Sequence, residues 1–181
     1  MYMACASGQG GYDQIITNPT EKQLENGDIL IIDTGSTLNG YFCDFDRNFG
    51  FGKISQTSLD AYAKLWEAIE STLEIIKPGI NCSEIYSSLS KYLLPENNNN
   101  GSVGRMGHGI GLQLTEPPSI MRNDQTIIEK NMIITLEPSI ELNKNLMLVQ
   151  EENILITEDG CKLLSTRTPE KLPIINWLNY W

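Results

Sequence analysis

Three aspartates flank a short turn signal in the first third of the chain. Asn39-Gly40 is the kind of dipeptide that two-residue hairpin loops favour, because both residues tolerate positive φ. With that pair as the loop, Asp33 faces Asp46 across the hairpin and Asp44 sits two residues along on the same face. Ile32 and Phe45 then point the other way. Like charges opposed on paired strands destabilise the pair, so such a patch needs cations or protons. Arg47 is adjacent in sequence, but alternation turns it to the opposite face. A bound metal is the economical account.

Other residues suit the same chemistry. Glu137 closes the apolar run Met-Ile-Ile-Thr-Leu-Glu-Pro, and Glu151 interrupts Leu-Val-Gln-Glu-Glu-Asn-Ile-Leu-Ile. A carboxylate in so apolar a strand either faces solvent or is paired. His108 is the only histidine and lies between glycines in Gly107-His108-Gly109-Ile110-Gly111. A lone histidine is more often structural than a ligand, and a single strand carboxylate is often a solubility device. Here the flanking glycines let backbone come close to whatever the imidazole touches. Asp33, Asp44, Glu137, Glu151 and His108 together suit a pair of divalent ions such as Mn, Co, Fe or Zn better than a structural zinc. Two metals ~3.5–4 Å apart bridge a water, lower its pKa and deliver hydroxide to an amide carbonyl.

These residues need elements to position them. Asp28 to Gly35 reads as an isoleucine-rich strand ended by glycine, and Gly40 to Phe49 as its return strand. Leu59, Tyr62, Trp66, Ile69, Leu73 and Ile76 recur at three- and four-residue steps, predicting a helix over about 58–76 that Pro78-Gly79 stops. A second helix over about 83–93 presents Ile85, Leu89, Tyr92 and Leu93 on one face. The polar tract from Pro95 to Ser102 reads as a surface loop. After it, strands are expected around Met106 to Leu114, Met132 to Glu137, Met147 to Thr157 and Cys161 to Leu164, with Glu158-Asp159-Gly160 as a turn. The tail from Pro169 to Trp181 carries Ile174, Ile175, Trp177 and Trp181, so it is expected to pack. The class is α+β, an antiparallel sheet with helices gathered on one side.

Bulk properties narrow the function. The chain has 181 residues, enough for one domain with a substantial core. Its longest apolar runs are too short to cross a bilayer, and no signal peptide is visible at its start. A net charge of −10 lacks the basic footprint of a nucleic-acid binder. Cys5, Cys43, Cys82 and Cys161 form no C-x-x-C pair, so reduced thiols in a cytoplasmic protein are expected.

Five blocks in order carry a resemblance: L-E-N-G-D-I-L-I-I-D-T-G, G-Y-F-C-D-F-D-R-N-F, G-H-G-I-G-L-Q-L-T-E-P-P-S-I, M-I-I-T-L-E-P and E-E-N-I-L-I-T-E-D-G. They are similar to the signature blocks of the pita-bread metallopeptidases, which include methionine aminopeptidase, aminopeptidase P, prolidase, creatinase and ectoine hydrolase. The resemblance spans roughly residues 5 to 166. It implies a single pita-bread catalytic domain over 1–181, with a curved antiparallel sheet and helices on its outer side. The family's domain usually has further helices before the first of these strands, so the chain is expected to begin inside the domain.

By the same resemblance Asp33 binds one metal, Asp44 and Glu151 bridge both, and His108 is the imidazole ligand. Glu137 binds the second metal and also handles the proton of the attacking water. Glu151 holds the ligand position because it lies six residues before Thr157, which leaves Glu152 as its non-ligand neighbour. Two divalent ions are implied, manganese first, with cobalt, zinc or iron as alternatives. The implied partners are a small peptide or peptide-like substrate, with no nucleic acid and no membrane, and a second copy of the chain in a homodimer. Gly111, Leu112 and Glu116 to Pro118 are placed at the pocket mouth by analogy.

The chain departs from the peptidases where they usually carry two further histidines. One falls seven residues after the metal histidine, where this chain has Thr115. The other falls upstream of the first metal strand, near Ile15 and Ile16. Losing such a stabiliser costs several kcal/mol of transition-state binding unless another group replaces it. Thr115 is the candidate replacement. The expected function is therefore a metal-dependent hydrolase of the Xaa-Pro peptidase kind, an aminopeptidase or dipeptidase. The alternatives are a creatinase- or ectoine-hydrolase-like enzyme acting on a small non-peptide C–N bond, and a catalytically silent binding module.

Overall fold

The structure, a computed structural model, describes residues 2–15, 17, 20–93 and 104–176. Its first sheet has the order β1-β2-β3-β11, built from β1 (Tyr2–Gln9), β2 (Asp28–Leu38), β3 (Tyr41–Phe51) and β11 (Ile174–Ile175). The second has the order β10-β9-β6-β4-β5, built from β4 (His108–Gly109), β5 (Glu116–Ser119), β6 (Ile133–Leu136), β9 (Glu152–Ile156) and β10 (Cys161–Leu163). A separate hairpin joins β7 (Ser139–Asn143) to β8 (Leu146–Val149). Two helices, α1 (Gln56–Leu73) and α2 (Cys82–Leu93), pack on one another. All strand pairs are antiparallel except β11 on β3.

The β2–β3 hairpin has the expected register. Asn39 and Gly40 both take positive φ, 52° and 87°, which matches the twist of the flanking strands. Asp33 pairs with Asp46 and Gly35 with Asp44. One face of β2 runs Ile29, Ile31, Asp33, so the stripe that begins as core turns acidic towards the hairpin tip. Ile29 and Ile31 belong to one continuous core with Tyr62, Leu65 and Ile69 of α1, Ile134 and Leu136 of β6, and Ile154 and Ile156 of β9.

Helix α1 starts two residues earlier than its apolar pattern implies, because the Ser55 side chain caps it by accepting the Ser58 N–H. It ends at Leu73, before Ile76, where a tightened turn (Ile75 N–H to Thr72 carbonyl, 3.1 Å) leads into Pro78. Ile76 is still fully buried, which is why it continued the periodic pattern.

The second half differs more. The strand expected over Met106 to Leu114 shrinks to His108–Gly109, since the glycine-rich stretch turns back at once with Gly111 N–H bonding the Gln113 carbonyl. The strand expected over Met147 to Thr157 is two strands with different partners, β8 on β7 and β9 on β6, broken at Gln150-Glu151. The tail packs as expected up to Asn176: Leu172 is buried and β11 lies beside the end of β3. The expected loop from Pro95 to Ser102, and Trp177 and Trp181, lie outside the described residues. Cys5, Cys43, Cys82 and Cys161 are all free thiols. No helix among the described residues is long and apolar enough to cross a membrane.

The two sheets meet where β3 runs beside the break between β8 and β9. Side chains close this seam: Asn48 Nδ2 donates to the Val149 carbonyl (2.7 Å), Arg47 Nη1 to the Glu151 carbonyl (3.1 Å), and Asn153 to the Asp44 carbonyl.

Leu65 has no solvent exposure and sits centrally in the core. Leu65→Ala is expected to lower unfolding free energy by about 2–5 kcal/mol, read from the urea midpoint at unchanged slope.

Candidate metal centre

The seam brings together side chains that are far apart in sequence. Asp44 comes from β3, His108 from β4, and Glu151 from the break between β8 and β9. Their nearest ligand-type atoms form a compact group: His108 Nε2 lies 3.8 Å from Asp44 Oδ2 and 3.9 Å from Glu151 Oε1. His108 Nδ1 is 2.8 Å from the Gly109 carbonyl, which only accepts. The ring proton therefore sits on Nδ1, and the Nε2 lone pair faces the carboxylates, the tautomer a metal-binding imidazole needs.

Backbone geometry holds the ring there. Gly107 has φ 139°, and a Cβ at that position would run into the Thr135 carbonyl oxygen. The close approach lets the His108 N–H reach the Thr135 hydroxyl (3.2 Å), which ties β4 to β6.

Asp33 joins the group through Tyr2, whose hydroxyl lies 3.2 Å from Asp33 Oδ1 and also bonds Asp44. Glu137, held by a 2.9 Å bond from its N–H to the Met106 carbonyl, interacts with Asp33, Asp44, Asp46 and Glu151 through charge rather than by hydrogen bonds. Thr115 is exposed in the segment before β5, and no hydrogen bond joins it to the acids. Glu152 points away. Its carboxylate takes Arg47 (3.1 Å), Arg167 (3.2 Å), the Ser165 hydroxyl (3.0 Å) and the Thr168 N–H (2.7 Å).

The electrostatics are those of too much negative charge in too little water. Burial, then Glu137, Asp44, Asp46 and Asp33, pushes Glu151 well above the usual carboxylate range. Burial and then Glu137 do the same to Asp46. Burial lifts Glu137 to about 7 despite the nearby Arg105, and burial followed by Asp44 lifts Asp33 to about 6. His108 is lowered, mainly by burial, so its imidazole is neutral near neutral pH. Glu151 Oε1 and Asp46 Oδ1 are buried with no hydrogen-bond partner. Orphaned acceptors of this kind cost ~1–3 kcal/mol each, and more when charged. Divalent cations answer both difficulties, because they accept oxygen and imidazole donors and cancel the repulsion. The donor set fits them.

Two participants escaped the reading of the sequence. Tyr2 enters from a strand 31 residues away, which no local pattern announces. Arg105, the cation that opposes the rise of Glu137, precedes the histidine block and carries no motif of its own.

A curved antiparallel sheet holding a buried cluster of acids and one neutral imidazole defines a metal-binding α+β domain. The chain matches metallopeptidase family M24 over residues 2–158, and it belongs to that family. It is 32% identical to an Xaa-Pro dipeptidase of Pyrococcus furiosus over 153 residues, which cover 84% of this chain and 44% of that protein. Among solved structures, the prolidase from Pyrococcus furiosus superposes with a TM-score of 0.81 at 29% identity, over 92% of this chain and 49% of that one. The X-Pro aminopeptidase from Thermotoga maritima gives 0.82 at 27% identity, over 96% and 49%. The fold is the pita-bread domain of these proteins. The chain spans under half the length of the curated relatives it matches.

Gly107→Ala is expected to force β4 away from β6 and to turn the His108 ring off the acids. Both the melting temperature and the retention of added Mn²⁺ should fall, with a stability loss of at least ~1–3 kcal/mol. Calorimetry and elemental analysis on the same sample read the two effects.

Proposed function

We propose that this chain is the metal-binding catalytic part of a hydrolase that cleaves Xaa-Pro dipeptides or closely related peptide bonds. The observation that carries the reading is the neutral His108 Nε2 facing Asp44 and Glu151 among further desolvated acids. Asp33, Asp44, His108, Glu137 and Glu151 would hold two divalent ions, manganese first. Ions bound there supply acidification of water and polarisation of a carbonyl. Similarity to Xaa-Pro dipeptidases supports the substrate class.

The protein's own groups divide the remaining work. Glu137 takes the proton of the attacking water and returns it to the leaving nitrogen. The Nδ1–H bond to Gly109 keeps the His108 ring in one orientation and tautomer. Thr115, standing where the peptidases usually carry histidine, donates a hydrogen bond to the oxygen that gains charge. Asp44 is held at its backbone by Asn153 and at its carboxylate by Tyr2, so its geometry is set before any ligand arrives. A homodimer and a cytoplasmic location belong to the same proposal, the latter supported by the free thiols.

Purified without chelator and loaded with Mn²⁺, the protein is expected to hold about two equivalents per chain. Asp44→Ala or Glu151→Ala should lower that content and abolish hydrolysis of Xaa-Pro dipeptides. Turnover of cyclic amidines or guanidino compounds in place of dipeptides would move the assignment to the creatinase- or ectoine-hydrolase-like alternative. Metal binding without turnover of either would make it a binding module. For Thr115, a valine variant should lose roughly ten- to a thousand-fold in kcat with little change in KM. An unchanged rate removes Thr115 from the mechanism.

A further inference from the structure

Asp46 is an acid that the proposed ligand set leaves out. It stands directly opposite Asp33 in the β2–β3 ladder, on the sheet face shared by Asp33 and Asp44. The residue is 3% exposed, and its Oδ1 has no hydrogen-bond partner. Burial, Glu137 and Asp33 oppose its charge, while Arg47 and a hydrogen bond from the Glu151 backbone N–H favour it.

Among the described residues no basic side chain pairs with that carboxylate, although the Arg47 charge acts on it from a distance. Arg47 is next in sequence, but its Nη1 bonds the Asp46 and Glu151 carbonyls (2.5 and 3.1 Å) and its Nη2 bonds Glu152 (3.1 Å) and the Thr166 carbonyl (2.6 Å). A buried acid with no ion pair in the middle of a strand ladder is poor material for fold stability, where a neutral β-branched residue would serve better. Its position is informative in a second way. Glu151 sits at the break between β8 and β9 with no ladder partner of its own, so the Asp46 carboxylate is a side-chain anchor for the backbone at that point.

We propose that Asp46 is a positioning residue of the metal centre. It orients Glu151 through that residue's backbone N–H and places a further negative charge beside the cations, which tightens their binding. The proposal rests on reading the acid cluster as a metal centre, and its test separates the two.

The test compares the 181-residue chain with Asp46→Asn, which is nearly isosteric and uncharged. Mn²⁺ affinity is measured by competition titration, and melting temperature with and without metal. Outer-shell partners of metal ligands are typically worth about 10–100-fold in affinity, and a weakening of that size is expected here. The metal-free melting temperature should not fall, because the substitution removes an acid from a like-charged, desolvated group. A residue that merely supports the fold would move both readings down together, and that result overturns the proposal. So does an affinity within about twofold of wild type. Should Asp46→Asn not fold, Asp46→Ser, which keeps a small acceptor for the Glu151 N–H, is read by the same two criteria. A wild-type chain that takes up no Mn²⁺ overturns the metal-centre reading, and this proposal with it.

Discussion

Carboxylates buried within reach of one another repel, and in a site with little water that repulsion is hardly screened. Asp33, Asp46, Glu137 and Glu151 are in that situation: burial first, and then the charges of neighbouring acids, raises the proton affinity of each. The surrounding structure is organised to tolerate the group. Tyr2 offers its hydroxyl to Asp33 and Asp44, Arg105 lies near Glu137, and His108 keeps an unprotonated nitrogen turned inward. None of these cancels the charge. Cations relieve the repulsion that remains, which is the physical reason to read it as a metal centre and not as a cluster of surface acids.

Such a group has to be assembled from separate parts, because no single element can hold four acids and an imidazole on one side. The fold brings them together at the seam of two sheets. The hairpin contributes Asp33, Asp44 and Asp46 in fixed register, and the second sheet contributes His108, while Glu137 and Glu151 stand just outside its strands. Backbone ladders cannot continue across the seam, so Asn48, Arg47 and Asn153 bridge it with side-chain bonds to main-chain carbonyls. Glu152 then locks the far side by gathering Arg47, Arg167 and the Ser165–Thr168 segment. Glu151, just before β9, and Glu152, its first residue, are adjacent yet opposite in role. One faces the acids and the other faces the arginines.

What was legible in the sequence follows from range. The hairpin register could be read because Asn39-Gly40 sets it locally, and every pairing in β2–β3 propagates from that turn. The helices could be read from apolar spacing, with errors confined to their ends, where Ser55 and the turn before Pro78 decide the boundary. Strand limits in the second half could not. A run such as Met147 to Thr157 looks continuous, but whether it pairs with one neighbour or two is settled by tertiary partners. Tyr2 and Arg105 were invisible for the same reason, since only folding brings them to the acids. Asp46 is the intermediate case: the hairpin register places it among the acids, while its link to the Glu151 backbone appears only in the folded chain.

The chain's stability and its proposed chemistry therefore oppose one another at one place. Every desolvated acid that strengthens cation binding weakens the metal-free fold, so the free energy of metal binding is partly free energy of folding. The rest of the molecule carries the balance in a single apolar core that runs under the seam, from Ile29 and Ile31 through α1 to Ile154 and Ile156. That core ends where the acids begin: along β2 the change from Ile31 to Asp33 takes two residues on one face. A boundary that sharp ties the ligand backbone directly to the packed core. That rigidity matters, because an acid free to swing away would relieve its repulsion by moving to water. Held in place, it relieves it by taking up a proton or a cation, and a cation can serve several acids at once.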